Sequence, residues 1–367
     1  MGSNQLGSNN DMQLDKLPSP RLLKRQHPAT TMQLAFIERS RQTLIDILEG
    51  NDPRLALIVG PCSIHDSLAA QEFAERLNAL AKEVSDEFFL LMRTYFEKPR
   101  TTVGWKGLVY DPQMDGSHDL VNGLAQARDL LLALADQRVP AATEFLDPMT
   151  PRYLEDLVTW SCIGARTTES QIHRQFASGL PMPVAFKNNT SGDLEVAVNA
   201  VIAASHPHTC FGIDEEGQAA IMRTRGNPFS HIVLRGGKAH SNYDPQSLAQ
   251  ALTLLRKAHL PLRLLIDCTH GNSRKDHNEQ VAVFESVLQQ FMQGNQAIRG
   301  ILLESHLAEG SQALPKHLRE LNYGVSVTDP CLGWDSTEKL ILEGAKQLRT
   351  RRENESQRLA CLEKALF

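Results

Sequence analysis

Several chemically reactive side chains follow directly on an apolar run in the stretch 58-IVGPCSIHDS-67. The run from Leu55 to Val59 is typical of a buried strand, and Gly60-Pro61 ends it just before Cys62. The end of a strand is held rigidly by the sheet and contacts solvent, and catalytic or binding residues are often located there. Cys62 is therefore a candidate functional residue if other strands end in the same way.

Further β-type runs along the chain also end at or near an ionisable side chain. Together with Cys62, the residues at these ends are Arg93, Glu144, Arg166, Lys187, Arg235, His270 and Glu304. A single charged residue at a strand end is usually a solvated or ion-paired surface group. Their recurrence at every predicted strand favours one shared functional surface.

One subset of these residues is cationic and extends into the loop that follows Arg93. It consists of Arg93, Lys98, Arg100, Arg166, Lys187 and Arg235. Cations gathered in one concave site repel each other unless anions bind between them. Guanidinium and ammonium groups match phosphate and carboxylate ligands well, so we expect a phosphorylated or carboxylated ligand.

A second subset has the side-chain types of a divalent transition-metal site. Its members are Cys62, His270, Glu304 and Asp329, the last in VSVTDP beyond the final strand. Thiolate, imidazole and carboxylate ligands suit such ions. Their spacing is no recognised metal motif, so buried structural cysteine and histidine remain the alternative interpretation.

The elements that must position these residues follow a strand and helix rhythm. After a helical stretch at 31–48, β-type runs occur at 55–60, 88–93, 140–145, 163–168, 183–188, 231–236, 262–270 and 298–305. Most are continuous apolar runs, as in strands buried on both faces, and helix patterns such as 67–84 and 150–160 separate them. We predict an α/β fold, a closed (β/α)8 TIM barrel, whose active sites lie at the carboxyl ends of the strands. The alternative is an open doubly wound sheet, but no GxGxxG follows any strand.

The barrel is expected to form one domain over residues 31–367. The polar, Gly/Ser/Asn-rich start predicts a flexible N-terminal extension over residues 1–30. An inserted β-hairpin is expected near 208–224, because the turn around Glu215-Glu216-Gly217 is too short for a crossover helix.

Charge and composition exclude several classes of partner. The 367 residues carry 38 basic and 43 acidic side chains, a net charge of −5, so no global field favours nucleic acid or a membrane surface. No apolar run reaches the ~18 residues of a membrane span, and the start has no signal-peptide core. The 6 cysteines are dispersed without a CxxC pair, which suits a reducing compartment such as the cytoplasm.

Seven segments of the chain resemble the class I family of 3-deoxy-D-arabino-heptulosonate-7-phosphate (DAHP) synthases. They are GPCSIHD (60–66), YFEKPRTTVGWKGL (95–108), GARTTESQIHR (164–174), FKN (186–188), LRGGK (234–238), HGNS (270–273) and ESH (304–306). The similarity runs from about residue 30 to 350. It implies a metal-dependent barrel enzyme that condenses phosphoenolpyruvate and erythrose 4-phosphate in the first step of the shikimate pathway toward aromatic amino acids.

The resemblance also implies a role for each matching residue. Cys62, His270, Glu304 and Asp329 match the ligands of a divalent ion, Mn, Fe, Co or Zn. Arg93, Lys98, Arg166, Lys187 and Arg235 match the groups that hold phosphoenolpyruvate, and Lys98-Pro99-Arg100-Thr101 matches the erythrose 4-phosphate site. From the chemistry of the groups, Glu144 is a candidate to orient water, with an ion pair to a neighbouring Arg as the alternative. Lys98 or His270 could move the proton to the new hydroxyl.

Regulation is expected from the same resemblance. It implies a homodimer or homotetramer inhibited by an aromatic amino acid near Leu180, Pro181 and Phe211, with help from the N-terminal segment. This chain departs from the family in 185-AFKNNTSG-192, where Ala185 and Asn189 replace glycines. Asn189 is compatible with a left-handed turn, because Asn tolerates positive φ better than other non-glycine residues.

Two other functions stay open on the sequence. A catalytically silent barrel could serve as an aromatic amino-acid sensor, although a sensor needs few of the ligand and cation matches. A synthase acting on arabinose 5-phosphate is the rival within the same class, and EKPRTTVGWKG favours the four-carbon sugar.

Overall fold

Eight parallel strands close into a barrel in the computed structural model, which describes residues 14–315 and 317–365. They are β1 (Leu55–Gly60), β2 (Phe88–Arg93), β3 (Ala141–Glu144), β4 (Trp160–Ile163), β5 (Val184–Lys187), β8 (His231–Leu234), β9 (Leu264–Asp267) and β10 (Ile298–Glu304). Each strand pairs with its neighbours in chain order, and β1 pairs with β10 to close the ring. The predicted (β/α)8 fold is confirmed.

Helices cover the outside of the barrel and one of its ends. They are α1 (Pro20–Gln26), α2 (Thr31–Glu49), α3 (Ser67–Glu83), α4 (Leu120–Asp136), α5 (Pro151–Leu154), α6 (Gln171–Ala177), α7 (Glu195–Ala204), α8 (Pro245–Lys257), α9 (Glu279–Met292) and α10 (Trp334–Ala365). Asp66, the carboxylate of the opening motif, caps α3 by accepting from the backbone N–H groups of Leu68 and Ala69. Within the described residues, no helix combines the length and apolar character that a bilayer crossing needs.

Alternate residues of each strand face the lumen and the helices. In β1, Ala56 and Ile58 belong to the inner apolar cluster, whereas Leu57 and Val59 belong to the outer one. This alternation follows from the two-residue period of a strand. It brings the last residues of several strands into the lumen above that inner cluster.

The predicted hairpin is present as β6 (Thr209–Ile213) and β7 (Ala219–Arg223), paired antiparallel. Of the expected flexible segment 1–30, residues 1–13 lie outside the described part, and the remainder includes α1. The backbone N–H of Arg21 in α1 donates to Glu215 O (2.9 Å) at the hairpin turn. The N-terminal segment therefore contacts the hairpin.

The fourth strand does not lie where we predicted it. The sequence favoured 163–168, but β4 spans Trp160–Ile163, and residues 165–169 form a turn. The expected helix at 150–160 is shortened to α5 and a 3-10 turn at Glu155–Leu157, because β4 already begins at Trp160. The strand β4 is buried, but Ser161 and Cys162 interrupt the apolar run by which a buried strand is recognised. Thr167 and Thr168 have high β propensity, although they lie in a turn.

Candidate functional site

A cavity of about 270 Å³ opens at the carboxyl ends of the barrel strands. It is lined by every residue that we predicted to bind substrate: Arg93, Lys98, Pro99, Arg100, Thr101, Glu144, Arg166, Lys187 and Arg235. His270, Glu304 and Asp329 line it too, and Cys62 lies buried beside it, in contact with Lys98 and Asp329. The two chemical subsets therefore meet in one place.

Arg93 lies at the base of this cavity and is 1% exposed. One of its NH2 groups donates to Glu304 Oε1 (2.9 Å), its Nε donates to Pro61 O (3.3 Å), and its guanidinium stacks 3.9 Å from the Tyr95 ring centre. A fully buried cation is costly unless it is paired. These three contacts hold Arg93 charged and fixed in orientation.

Lys187 projects into the lumen between two carboxylates. Its Nζ lies 3.2 Å from Glu144 Oε2 and 3.5 Å from Asp267 Oδ2. Burial by itself raises the pKa of Asp267, but His270 and Lys187 outweigh it and lower that pKa well below its usual range. Burial likewise opposes the charge on Lys187, and its anionic surroundings raise the pKa of Lys187 well above the usual value.

Asp267 is a candidate functional residue that the sequence reasoning missed. It is fully buried, and its Oδ2 lies 3.1 Å from His270 Nδ1 while its Oδ1 accepts from Thr269 N (3.0 Å) and Thr269 Oγ1 (2.6 Å). A carboxylate in this position fixes the orientation of the imidazole and directs Nε2 away from it. The two-residue period of the strand could have revealed it, because Asp267 lies two residues after Leu265 and therefore on the same, lumen-facing side of β9.

Three of the four predicted metal ligands form a compact group. Ligand atoms of Cys62, Glu304 and Asp329 all lie within 4.8 Å of one another. His270 stands beside this group, with Nε2 4.0 Å from Glu304 Oε1. Asp329 is carried by the loop after β10, whose Cys331 Sγ accepts from Cys62 N (3.4 Å) and ties the two segments together.

The donor set fits a divalent ion. Burial and the neighbouring Glu304 raise the pKa of the Cys62 thiol to about 11, and Lys98 offsets this only partly. In this arrangement Lys98 Nζ provides the compensating cation, 2.7 Å from Cys62 Sγ and 3.6 Å from Asp329 Oδ2. Sulfur and oxygen donors that converge in this way, with an imidazole beside them, suit a divalent transition-metal ion.

The loop after β2 carries Lys98 and Arg100 over the cavity and is held at several points. Lys98 N donates to Lys106 O (2.8 Å), and Arg100 Nε donates to Trp105 O (2.8 Å). Buried Glu97, which the sequence reasoning also missed, accepts from the backbone N–H groups of residues 146 and 147 and from Thr150 Oγ1. Burial raises the pKa of Glu97 to about 8, against the effect of these donors.

The departures from the family pattern have local structural explanations. Ala185 is fully buried in the inner cluster of the lumen. Asn189 does not use the left-handed conformation that its side chain tolerates, and positive φ occurs instead at Gly192 (103°). Asn189 Oδ1 accepts from the backbone N–H groups of Ser191, Gly192 and Asp193, so the side chain closes the turn.

A second cavity, of about 340 Å³, lies between α6 and the hairpin. Leu180 and Phe211 line it together with Phe176, whereas Pro181 lies outside the lining. Phe211 is 97% exposed. The pocket is thus largely apolar, with Arg152 and Glu155 also in its lining.

Comparison with known proteins gives consistent matches over nearly the whole chain. The model of the DAHP synthetase I family matches residues 27–342. The Tyr-sensitive phospho-2-dehydro-3-deoxyheptonate aldolase of Escherichia coli K12 is 53% identical over 327 residues, covering 89% of this chain and 92% of that protein. The Phe-sensitive and Trp-sensitive aldolases of the same organism are 48% and 46% identical, over 93% and 92% of this chain and 97% of each relative.

A solved structure agrees with these matches. The phospho-2-dehydro-3-deoxyheptonate aldolase from Francisella tularensis SCHU S4 superimposes with a TM-score of 0.90 at 41% identity, covering 93% of this chain and 99% of that one.

Proposed function

The chain belongs to the DAHP synthetase I family, and we propose that the cavity at the carboxyl ends of its strands binds both substrates of that reaction side by side. Its function is that of a DAHP synthase, which condenses phosphoenolpyruvate and D-erythrose 4-phosphate with water to give DAHP and phosphate. The observation that supports this site most directly is the convergence of the predicted cations and ligands on one cavity. A catalytically silent sensor would not need that convergence.

Phosphoenolpyruvate is assigned to the cationic side of the cavity. Arg166, Lys187 and Arg235 hold its phosphate and carboxylate, because guanidinium forks and an ammonium match these groups. Lys187 keeps its charge through its contacts with Glu144 and Asp267. Binding of the two anionic groups leaves the methylene carbon, the nucleophile, directed at the aldehyde.

Erythrose 4-phosphate is assigned to the loop that carries Pro99, Arg100 and Thr101. Its phosphate pairs with Arg100, and Thr101 Oγ1, which accepts from Arg166 NH2 (3.4 Å), links the two substrate positions. Holding two phosphorylated anions in one orientation replaces their mutual repulsion by proximity.

Cys62, His270, Glu304 and Asp329 would hold a divalent ion, Mn, Fe, Co or Zn. When bound, such an ion supplies Lewis acidity toward the aldehyde oxygen. The identity of the metal is not determined by this donor set, since mixed sulfur, nitrogen and oxygen ligands accept several ions.

Lys98 is the proton donor that the contacts favour over His270. Burial lowers the pKa of Lys98, but Cys62, Glu304 and Asp329 outweigh burial and raise it, so Nζ carries a proton in the cavity. His270 is committed through Nδ1 to Asp267 and Thr269. A proton from Lys98 Nζ therefore passes to the former aldehyde oxygen, while Glu144 orients the water that attacks phosphoenolpyruvate.

A phosphate-release assay tests this function. Phosphate should appear only when phosphoenolpyruvate and erythrose 4-phosphate are both present, should stop after prolonged chelation, and should return with Mn, Fe, Co or Zn. Replacing erythrose 4-phosphate by arabinose 5-phosphate should give little product. Turnover that survives complete metal removal, or a preference for the five-carbon sugar, would contradict the proposal.

The second cavity is proposed to bind an aromatic amino acid as a feedback inhibitor. Support comes from its apolar lining, with Phe176, Leu180 and Phe211, and from the Tyr-, Phe- and Trp-sensitive names of three relatives. Inhibition requires that the ligand favours a less active arrangement of the substrate loop. Pro148 and Met149 of this cavity follow the residues whose backbone N–H groups hold Glu97, which is one physical connection between the two cavities.

Titration of tyrosine, phenylalanine and tryptophan in the same assay identifies the effector. We expect one of them to inhibit, and Leu180→Arg to abolish inhibition while leaving uninhibited turnover in place. Lack of inhibition by all three at millimolar concentration would refute a regulatory role.

We further propose a homodimer or homotetramer in the cytoplasm. A second copy would cover the apolar side chains that the hairpin and α6 expose, Ile172 (59%), Phe211 (97%) and Ile221 (62%). A reducing compartment keeps the Cys62 thiol available as a ligand. Light scattering of the purified chain gives the oligomeric state.

A further inference from the structure

Three buried asparagines connect neighbouring strand ends under the anion-binding side of the cavity. Asn188, Asn242 and Asn272 are 0%, 7% and 4% exposed, and all three make side-chain hydrogen bonds across loops. We propose that this asparagine cluster positions the backbones of Lys187, Arg235 and His270 and thereby sets the affinity for phosphoenolpyruvate. The inference rests on the proposed anion-binding role of Lys187 and Arg235.

The cluster begins where the parallel backbone pairing stops. The register of β5 with β8 ends at the pair Lys187 and Val233, and that of β8 with β9 ends at Leu234 and Ile266. The functional side chains are carried at or just beyond these points. Beyond these pairs the backbone bonds from Gly271 N to Arg235 O (3.1 Å) and from Lys238 N to Thr190 O (3.1 Å) cross between the loops, and the asparagine side chains supplement them.

Asn188 follows Lys187 directly and uses its full hydrogen-bonding capacity. Its Oδ1 accepts from Arg235 N (2.9 Å) and Asn242 Nδ2 (3.1 Å), and its Nδ2 donates to Gly236 O (2.9 Å) and to the carbonyl of the next residue (3.0 Å). A buried amide with two donors and two acceptor bonds has no capacity left. It fixes the loop after β8 on both sides of Arg235.

Asn242 is the centre of the cluster. Its Oδ1 accepts from Gly236 N (2.7 Å), its Nδ2 donates to Asn188, and its backbone N–H donates to Asn272 Oδ1 (2.8 Å). Asn242 does not line the cavity, so any effect of its substitution on ligand binding must pass through other residues.

Asn272 extends the cluster to β9. Its Nδ2 donates to Leu234 O (3.2 Å) and Asp267 O (2.8 Å), which are the last residues of β8 and β9. The loops after these strands pack so closely that a Cβ on Gly236, whose φ is 72°, would lie 2.5 Å from Gly271 C. Side-chain amides of fixed length thus set the spacing of the two loops.

Displacement of the loop after β8 should affect the position of the Arg235 side chain in particular. Among the described residues, its guanidinium has one hydrogen-bond partner within the protein, Gly236 O at 3.3 Å from NH1. Its side chain is therefore available for a ligand anion, and its position depends on the backbone. A shift of a few tenths of an ångström at Arg235 N would misalign a bidentate contact.

A matched control lies at the opposite end of the same strands. Asn227 is 3% exposed, donates through Nδ2 to Leu180 O (3.2 Å) and Met182 O (2.8 Å), and accepts from Phe229 N (3.0 Å). It connects the segments that lead into β5 and β8, far from the strand ends that carry Lys187 and Arg235. Loss of this amide should cost stability in the same way as loss of Asn242.

The test compares Asn242→Ala with Asn227→Ala in the metal-loaded enzyme. Both should lower Tm, but only Asn242→Ala should raise the KM for phosphoenolpyruvate and its Kd by titration, roughly tenfold for two lost buried hydrogen bonds, with the KM for erythrose 4-phosphate within about twofold. In the Arg235→Ala background, Asn242→Ala should add much less than tenfold, because the two residues act on one contact.

Other outcomes discriminate between the inference and the proposed site. Equal KM values for Asn242→Ala and Asn227→Ala, or full additivity with Arg235→Ala, would overturn the positioning role. If Arg235→Ala itself binds phosphoenolpyruvate normally, the assigned anion site is wrong instead. Should Asn242→Ala fail to fold, Asn242→Asp keeps the acceptor for Gly236 N, removes the donor to Asn188, and must show the same selective rise in KM.

Discussion

At the amino-terminal end of the barrel the lumen is closed by apolar side chains, whereas at the carboxyl end it contains buried charges. Leu44, Ile47 and Leu48 of α2 pack against the inner cluster that includes Trp160. Inside this end of the lumen, two aromatic side chains form a neutral hydrogen bond, from Trp160 Nε1 to His231 Nε2 (3.1 Å).

The carboxyl end uses the same strand faces for a different purpose. Arg93, Glu144, Lys187, Asp267 and Glu304 are all buried, and they form ion pairs rather than apolar contacts. Replacing buried ion pairs by apolar residues is often neutral or stabilising, so stability alone does not explain them. We infer that the apolar packing at the amino-terminal end stabilises the fold, whereas the buried charges at the carboxyl end serve ligand binding at a cost in stability.

The largest effect is expected when a cysteine at the metal site is compared with a cysteine in the outer apolar cluster, each replaced by serine. Cys62→Ser should lower activity by more than roughly 100-fold and abolish stoichiometric metal binding, because a hydroxyl is a poor substitute for a thiolate ligand. Cys268→Ser, in the outer apolar cluster, should leave activity intact and cost about 1–3 kcal/mol of unfolding free energy. Turnover, metal content and urea unfolding of the two variants give the readout, and a metal-binding, active Cys62→Ser would remove the proposed site.

Removal of an apolar side chain at the closed end should affect stability only. Leu44→Ala is expected to cost about 2–5 kcal/mol, since it leaves a cavity under α2. The specific activity of the folded fraction should stay within about twofold. A specific loss of substrate affinity in this variant would contradict the separation of the two ends.

An exchange of one cation for another tests the open end. Arg166→Lys should raise the KM for phosphoenolpyruvate roughly tenfold, because the bidentate fork is lost although the charge is kept. Arg76→Lys, on the outer face of α3 and paired with Glu72, is the matched control and should change neither KM nor Tm appreciably. An unchanged KM for Arg166→Lys would argue against the assigned anion position.

A pH dependence of stability should also arise at the closed end. Burial, followed by the nearby Arg263, lowers the pKa of His231 from 6.5 to about 3. The unfolded chain therefore binds one more proton than the folded chain between these pH values, and stability falls as pH falls through that window, by up to about 1.4 kcal/mol per unit. Urea unfolding at several pH values should show that the unfolding free energy of His231→Gln changes less with pH than that of the unsubstituted protein. An identical dependence on pH would exclude His231 as the source.

Much of this architecture was available from the sequence because strand geometry is periodic. The apolar runs gave seven of the barrel strands in their observed places, and parity places Arg93, Glu144, Lys187 and Glu304 on the lumen face. The convergence of strand ends in a barrel then brings these residues together without further information. The strand at Trp160–Ile163 was misplaced, because Ser161 and Cys162 do not read as an apolar run.

Only the tertiary structure identified the residues that act through contacts across loops. Parity places Asp267 on the lumen face, but only the structure shows that His270 Nδ1 and Lys187 Nζ approach its Oδ2. Asn242 is a candidate because its side chain bonds Gly236 and Asn188. Neither approach follows from the period of a strand, since loop conformation depends on glycine contacts and side-chain hydrogen bonds between segments far apart in the chain. Periodicity therefore determined which residues face the lumen, and the packing of loops decided which partners hold them there.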